Sequence, residues 1–266
     1  MNNLTQRILT GSAYVTIMLL AVMHPIFIGA LFALVAVLST FELKKIFEKQ
    51  NIDFDILPTI IIGLTTYATV LYPEIKVILF LEIFIYFISL LYQTTKNTLQ
   101  LLGTLFVSVA YIFVPLSLAI PIGCQSTSYE SKTLFGLLIL IWSSDSWAYV
   151  SGRLFGKRKL FERLSPNKTW EGFWGSVLLT TATGYVLSVI GFGLSSIEWM
   201  ILGGLTVFIA TAGDLFQSML KRASSLKDSG NILPGHGGVL DRFDSILFCL
   251  PAYYIYFYYL SPIFNF

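Results

Sequence analysis

The sequence predicts an all-α, polytopic integral membrane protein, and three observations predict it. Of its 266 residues 55% are hydrophobic and only 12% charged, against about 25% charged in a soluble domain, and mean hydropathy is +0.74. Nine apolar segments each approach the length, about 17–25 residues, that crosses a hydrocarbon core as a helix. The cations fall almost wholly on alternate connections between those segments.

In chain order the expected spans are 8–24, 25–46, 56–73, 75–93, 99–121, 133–154, 172–193, 197–220 and 245–263. The first has Arg7 before an apolar run, as a signal peptide would. It lacks a small-x-small cleavage site and flows straight into the second, so it reads as a retained span. Pro25, Pro73 and Ile122-Gly123 mark tight turns. Five spans make an N-terminal region, 1–130, and the rest a C-terminal region, 131–266, carrying two polar loops at 152–172 and 221–242.

With nine spans, the N-terminus and every second connection share one side, which holds fifteen of the seventeen Lys and Arg; only Lys76 and Lys132 lie opposite. Lys and Arg accumulate in cytoplasmic loops, so the N-terminus and both polar loops are expected in the cytoplasm and the C-terminus outside. A net charge of +2 excludes a nucleic-acid binder. Two cysteines, Cys124 and Cys249, allow at most one disulfide, offer no metal-ligand spacing, and read as small apolar fillers.

An ionisable side chain inside a span is costly and faces a cavity or a partner. Asp145, in "LIWSSDSWAY", and Asp214, in "FIATAGDLFQSMLKR", both fall toward the cytoplasmic ends of their spans. Helical spacing puts Asp214, Ser218 and Lys221 on one face. Asp241 and Asp244 stand one turn apart at the start of the ninth span. Carboxylate and hydroxyl oxygens are ligands for hard cations such as magnesium, and cations packed around them make sense if the metal arrives with phosphates. Gly235, Gly237 and Gly238 let backbone approach a ligand and form an anion-binding nest, and His236 is placed to donate to a phosphate oxygen. Each feature also has a plainer reading: first-turn acids stabilise a helix N-terminus, basic loops serve topology or anionic lipid, and glycines punctuate turns. Co-occurrence favours a magnesium–polyphosphate site opening to the cytoplasm. Glu82 is expected to make a structural pairing without nearby polar company, Glu42 to meet Lys45 or Lys49, and His24 to sit at a turn without a role.

The stretch "SMLKRASSLKDSGNILPGHGGVLDRFD", Ser218 to Asp244, resembles the signature of the phosphatidate cytidylyltransferases, or CDP-diglyceride synthases. The stretches "SDSWAY…GRLFGKRKL" and "LSPNKTWEGFWG" resemble the same family, while spans one to five match it only in being apolar. Gln217 departs from the acid common in "GDLFES". The resemblance implies that CTP and phosphatidate react to give CDP-diacylglycerol and pyrophosphate at the membrane lipid surface. It implies magnesium on Asp214 and Asp241, with Asp244 and Asp145 as ligands or close neighbours, and a second cation such as potassium. Lys221, Arg222, Lys227 and Arg242 would hold phosphates, Lys168 and Arg153 would complete a cationic wall, and Ser218, Asp228 and His236 would belong to the site. The absence of a long N-terminal extension leans toward a bacterial cytoplasmic membrane, and a homodimer is left open. The nearest rival is a CTP-dependent lipid-alcohol kinase of the dolichol kinase type; a more distant one is an ion-coupled transporter using Asp145, Asp214 and Glu82. Transporter sites lie near the midplane between repeated halves, whereas these acids cluster at one end and no repeat is visible.

Overall fold

A computed structural model describes residues 3–124, 130–233, 235 and 237–264. Among them a helix lies at each expected span: α1 (Asn3–Val22), α2 (Pro25–Glu48), α3 (Ile56–Thr69), α4 (Lys76–Leu91), α5 (Thr98–Gly123), α6 (Ser131–Phe155), α7 (Trp170–Val189), α8 (Ser196–Ala223) and α9 (Leu240–Ile263). Five of these, α2, α5, α6, α8 and α9, are long and apolar enough to cross a membrane, while Leu9–Val22 and α3 are apolar but shorter. Rise accounts for α3. The 14 residues of α3 make about 21 Å at ~1.5 Å per residue, short of the ~30 Å hydrocarbon core. The 28 residues of α8 make about 42 Å by the same rise. Large apolar side chains stand exposed around the helices, among them Phe80 (80%), Leu178 (71%) and Ile263 (70%). Such surface is untenable in water and ordinary against lipid. The molecule is an all-α integral membrane protein, apart from one feature the sequence did not announce. Within the 152–172 loop, β1 (Lys159–Phe161) and β2 (Ser165–Thr169) pair antiparallel, Lys159 opposite Thr169 and Phe161 opposite Ser165.

Helix boundaries follow local chemistry. Pro25 opens α2, where its missing N–H costs nothing, and the His24 ring Nδ1 accepts from Ile26 N at 3.3 Å. His24, given no role from sequence, is thus a helix cap. Asn97 caps α5 through the amides of Leu99 and Gln100. Cys249 is buried, as a filler should be, but Cys124 is exposed and both are free thiols, so no disulfide forms.

The chain packs as two units, residues 1–121 with 223–243, and residues 122–222 with 244–266. In the first, Phe32 and Phe243 meet edge-on at 5.8 Å and Tyr14 meets Phe243 at 5.9 Å. The Tyr67 hydroxyl donates to Gly29 O at 2.9 Å. Ile28, Ile46, Ile112 and Leu116 fill the rest of this core. Glu82 is not isolated: Thr65 Oγ1 donates to its Oε1 at 3.0 Å. That pairing joins α3 to α4 where hydrocarbon would leave a lone carboxyl unsatisfied.

The second unit is held by small residues that let backbones touch, the usual device where lipid removes the hydrophobic drive between helices. A Cβ on Gly184 would lie 2.2 Å from Trp199 O, and one on Gly203 would lie 2.7 Å from Thr180 O, so α7 and α8 cross at glycine. A Cβ on Gly175 would lie 2.4 Å from that of Ser151, and Ser176 Oγ donates to Ser144 O at 2.7 Å, which locks α6 to α7. Buried Thr206 and Tyr253 hydroxyls bond at 2.6 Å, tying α8 to α9.

Candidate active site

The site in the second unit is built on the C-terminal ends of α6 and α8 and the N-terminal end of α7, beside the β1–β2 hairpin. Two contacts fix that hairpin. Thr169 Oγ1 accepts from Gly172 N at 3.1 Å, capping α7. Glu171 Oε2 accepts from the amides of Lys157 and Arg158 at 2.9 and 3.1 Å. Those two amides, Lys157 first, hold the Glu171 carboxyl below the usual carboxylate range. A loop rich in like charge is thereby closed into a hairpin whose second strand carries Lys168 over α8.

There the Lys168 ammonium meets the Asp214 carboxylate, Nζ to Oδ2 at 2.6 Å, with both side chains 27% exposed. Beside this pair lies a cavity of about 250 Å³ lined by Asp145, Tyr149, Asn167, Lys168, Thr169, Phe173 and Thr211 among others. Arg153 lies one turn beyond Tyr149 on α6, donating from Nη1 to the Tyr149 hydroxyl at 3.1 Å.

Gly213 explains how a second acid reaches Asp214. A Cβ on Gly213 would lie 2.6 Å from the carbonyl oxygen of Asp244, so only glycine lets α9 come this close to α8. Half-buried Asp244 then has Asp214 and Asp145 as charged neighbours, with Lys221 as a cationic one. Three carboxylates in one neighbourhood repel one another and call for a cation. All their donors are oxygens, the set hard divalent ions take. Among the described residues no three such side chains already form a ligand cage. Magnesium is normally held through one or two carboxylates together with substrate phosphates, and this donor set fits that pattern. Ser218 follows Asp214 by one turn on α8 and is half-buried, and Arg222 is exposed beyond it.

The other sequence-selected residues lie in the first unit. Lys227, Asp228 and Arg242 are exposed. His236 lies outside the described residues. Gly235 and Gly237 adopt φ of +76° and +86°, a region that side chains with a Cβ rarely enter, and Leu233 N donates to Gly237 O at 3.0 Å to close the turn. Asp241 Oδ2 accepts from Ser229 N at 2.8 Å and Gly238 N at 3.2 Å, which folds the loop back onto the first turn of α9.

Sequence reasoning misplaced one acid here. Glu42 does not pair with Lys45 or Lys49; both lysines are exposed, while Glu42 is fully buried. Its Oε2 accepts from Ser229 Oγ at 2.7 Å and Leu240 N at 2.9 Å, and its Oε1 from Val239 N at 2.9 Å. The available signal was position: Val35, Ser39, Glu42 and Ile46 share one helical stripe and all are buried, so the acid points into the core and away from the lysines. Tyr149, Asn167 and Thr211 were also missed as cavity residues. Asn167 lies inside the quoted "SPNKTWEG", and Thr211 stands one turn before Asp214.

Comparison with known proteins identifies the family. The model of the cytidylyltransferase family matches residues 5–260. The phosphatidate cytidylyltransferase of Bacillus subtilis (strain 168) is 35% identical over 269 residues, covering 96% of this chain and 97% of that protein. Proteins of the same name are similar over shorter stretches: 43% over 135 residues in Haemophilus influenzae, 48% of this chain and 46% of that protein, and 44% over 122 residues in Pseudomonas aeruginosa, 45% of each. A family match over nearly the whole length, with a relative 35% identical over 96% of the chain, leaves one conclusion: the chain belongs to the cytidylyltransferase family.

Proposed function

We propose that the chain is a phosphatidate cytidylyltransferase, a nucleotidyltransferase of phospholipid biosynthesis that joins CTP and phosphatidate into CDP-diacylglycerol and pyrophosphate. The observation that carries the mechanism is the Lys168–Asp214 pair at 2.6 Å beside Asp145. A phosphate oxygen of phosphatidate attacks the α-phosphorus of CTP, forming a new P–O–P linkage. The bond from the α-phosphorus to its bridging oxygen breaks, and pyrophosphate leaves with the electron pair. The attacking phosphomonoester already carries about −1.5 to −2 charge at neutral pH, so no strong general base is required. The barrier is repulsion between two anions, and lowering it calls for positioning and charge neutralisation.

In this reading Asp214 and Asp244, in the second unit, hold magnesium and Asp145 stands beside them; for Asp241, in the first unit, the ligand role rests on the sequence resemblance alone. Bound magnesium would neutralise phosphate charge on the nucleotide. Lys168, on a flexible four-carbon stem, leaves Asp214 for a phosphate when nucleotide and metal arrive, and Arg153 continues the cationic wall toward the lipid. Lys221 and Arg222, in the second unit, take phosphates; for Lys227, Arg242 and the backbone amides of Gly235, Gly237 and Gly238, in the first unit, the phosphate role rests on the sequence alone.

The same proposal includes nine crossings, with the N-terminus and both polar loops in the cytoplasm, resting on the fifteen-to-two division of cations. A reporter active only outside the cytoplasm gives signal when fused after Phe266 and none when inserted at Asn231. The reverse pattern contradicts the nine-span orientation. For the activity, purified protein given CTP, phosphatidate and magnesium forms CDP-diacylglycerol; no lipid nucleotide under those conditions refutes the assignment.

A further inference from the structure

We propose that Glu42 is a positioning residue for the glycine-rich loop, a buried carboxylate on α2 that sets the shape in which Ser229–Leu240 meets the nucleotide; the phosphate-holding part of this rests on the function proposed above. Three donors from the loop and the first turn of α9 converge on Glu42 from nearly 200 residues away in sequence, at 2.7–2.9 Å. It is the only buried carboxylate among the described residues of that unit.

The loop's glycines are cut to fit it. A Cβ on Gly230 would lie 2.3 Å from Glu42 Oε1, and one on Gly238 would lie 2.0 Å from the Ser229 Oγ that Glu42 holds and 2.4 Å from Glu42 Oε2. Gly230 is not among the residues of positive φ, so its backbone would accept alanine. What excludes a side chain there is the carboxylate. Two glycines, one serine and two amides therefore share a single organising group that the local sequence does not contain.

The position of Glu42 also decides what the N-terminus of α9 does. A helix N-terminus is a ready anion site, but here the amides of Val239 and Leu240 already face the chain's own anion. Nucleotide phosphates are left to the turn beyond, and Glu42 acts on them only through the loop it shapes.

The test uses the full-length protein in detergent with four variants: Glu42→Gln, Glu42→Ala, Gly230→Ala and the Glu42→Ala/Gly230→Ala pair. Glu42→Gln keeps volume but turns a donor toward one or more of the three donors. It should raise KM for CTP by about tenfold or more, the scale of one lost charge-assisted hydrogen bond, while KM for phosphatidate stays within about twofold. Hydrogen exchange at residues 237–240 should accelerate by a similar factor, with α3 and α5 unchanged. Gly230→Ala alone should show the same CTP defect, and in the Glu42→Ala background it should add less than about twofold, because the obstructing carboxylate is gone. A Glu42→Gln protein with native KM for CTP and native exchange overturns the proposal. So does a uniform loss of thermal midpoint with both KM values moving together, which marks a merely structural acid, and so does a Gly230→Ala defect independent of Glu42. If Glu42→Ala fails to accumulate, Glu42→Gln and Gly230→Ala still decide through exchange and KM. If the native protein transfers nothing from CTP to phosphatidate, the functional reading fails, while the exchange comparison still judges the clamp.

Discussion

Asp214→Asn should lower turnover by roughly 10³-fold or more, the upper end for removing one electrostatic group from a reacting centre, while membrane insertion and thermal midpoint are retained. The two effects separate by magnitude. Asp214 and Lys168 are each 27% exposed, and a pair of that exposure contributes about 0–1 kcal/mol to stability. A 10³-fold loss in rate corresponds to about 4 kcal/mol of transition-state stabilisation. A large kinetic defect in a protein that melts normally therefore assigns Asp214 to chemistry. Asparagine keeps the volume and leaves Gly213 free to hold α9 close, so the neighbouring carboxylates stay in place. Glu82→Gln is the control: that acid is bonded to Thr65 on α3, and glutamine keeps an oxygen to accept that bond, so turnover should stay near native. Near-normal turnover by Asp214→Asn at limiting magnesium would remove it from the metal site.

The second large effect is expected at Asp241. Its Oδ2 gathers the amides of Ser229 and Gly238, and an asparagine carbonyl can accept both, so the loop should survive the change. The lost charge should not be tolerated: we expect turnover to fall by roughly 10²-fold or more, again the scale of one electrostatic group, with the magnesium concentration for half-maximal rate rising. Asp241→Ala adds loss of the loop contacts, and its hydrogen exchange at residues 229–238 should exceed that of the asparagine variant. If Asp241→Asn keeps near-native turnover while Asp241→Ala loses it, Asp241 serves only the fold of the loop and its metal role is wrong.

How much of this was legible in the sequence depends on how local each interaction is. Helix positions were readable because unbroken apolar runs of the right length have few alternatives, and Pro25 fell where α2 begins. Lengths were less readable: α3 stops at Thr69 although the apolar run continues toward Pro73, because hydropathy does not register where helical hydrogen bonding ends. The β1–β2 hairpin left no trace, since "KLFERLSPNKT" lacks period-2 alternation. It forms because Glu171, after the strands, grips the amides of Lys157 and Arg158 before them. Asp145 and Asp214 were legible as acids inside spans and Asp244 as an acid at the start of the ninth, and the structure makes the three charged neighbours. Glu42 was misread for the opposite reason. The cations expected to meet it, Lys45 and Lys49, are exposed, and its partners at Ser229, Val239 and Leu240 are reached only through the fold.

The central claim is that the bond broken lies at the α-phosphorus of CTP, and isotopic labelling of the phosphates tests it most directly. With the purified protein, phosphatidate and magnesium, label at the α-phosphate of CTP should appear in the lipid product and label at the γ-phosphate in released pyrophosphate. Label from the γ-phosphate in the lipid, with CDP as the other product, would mean that the site transfers a phosphoryl group to a lipid alcohol and would contradict the account.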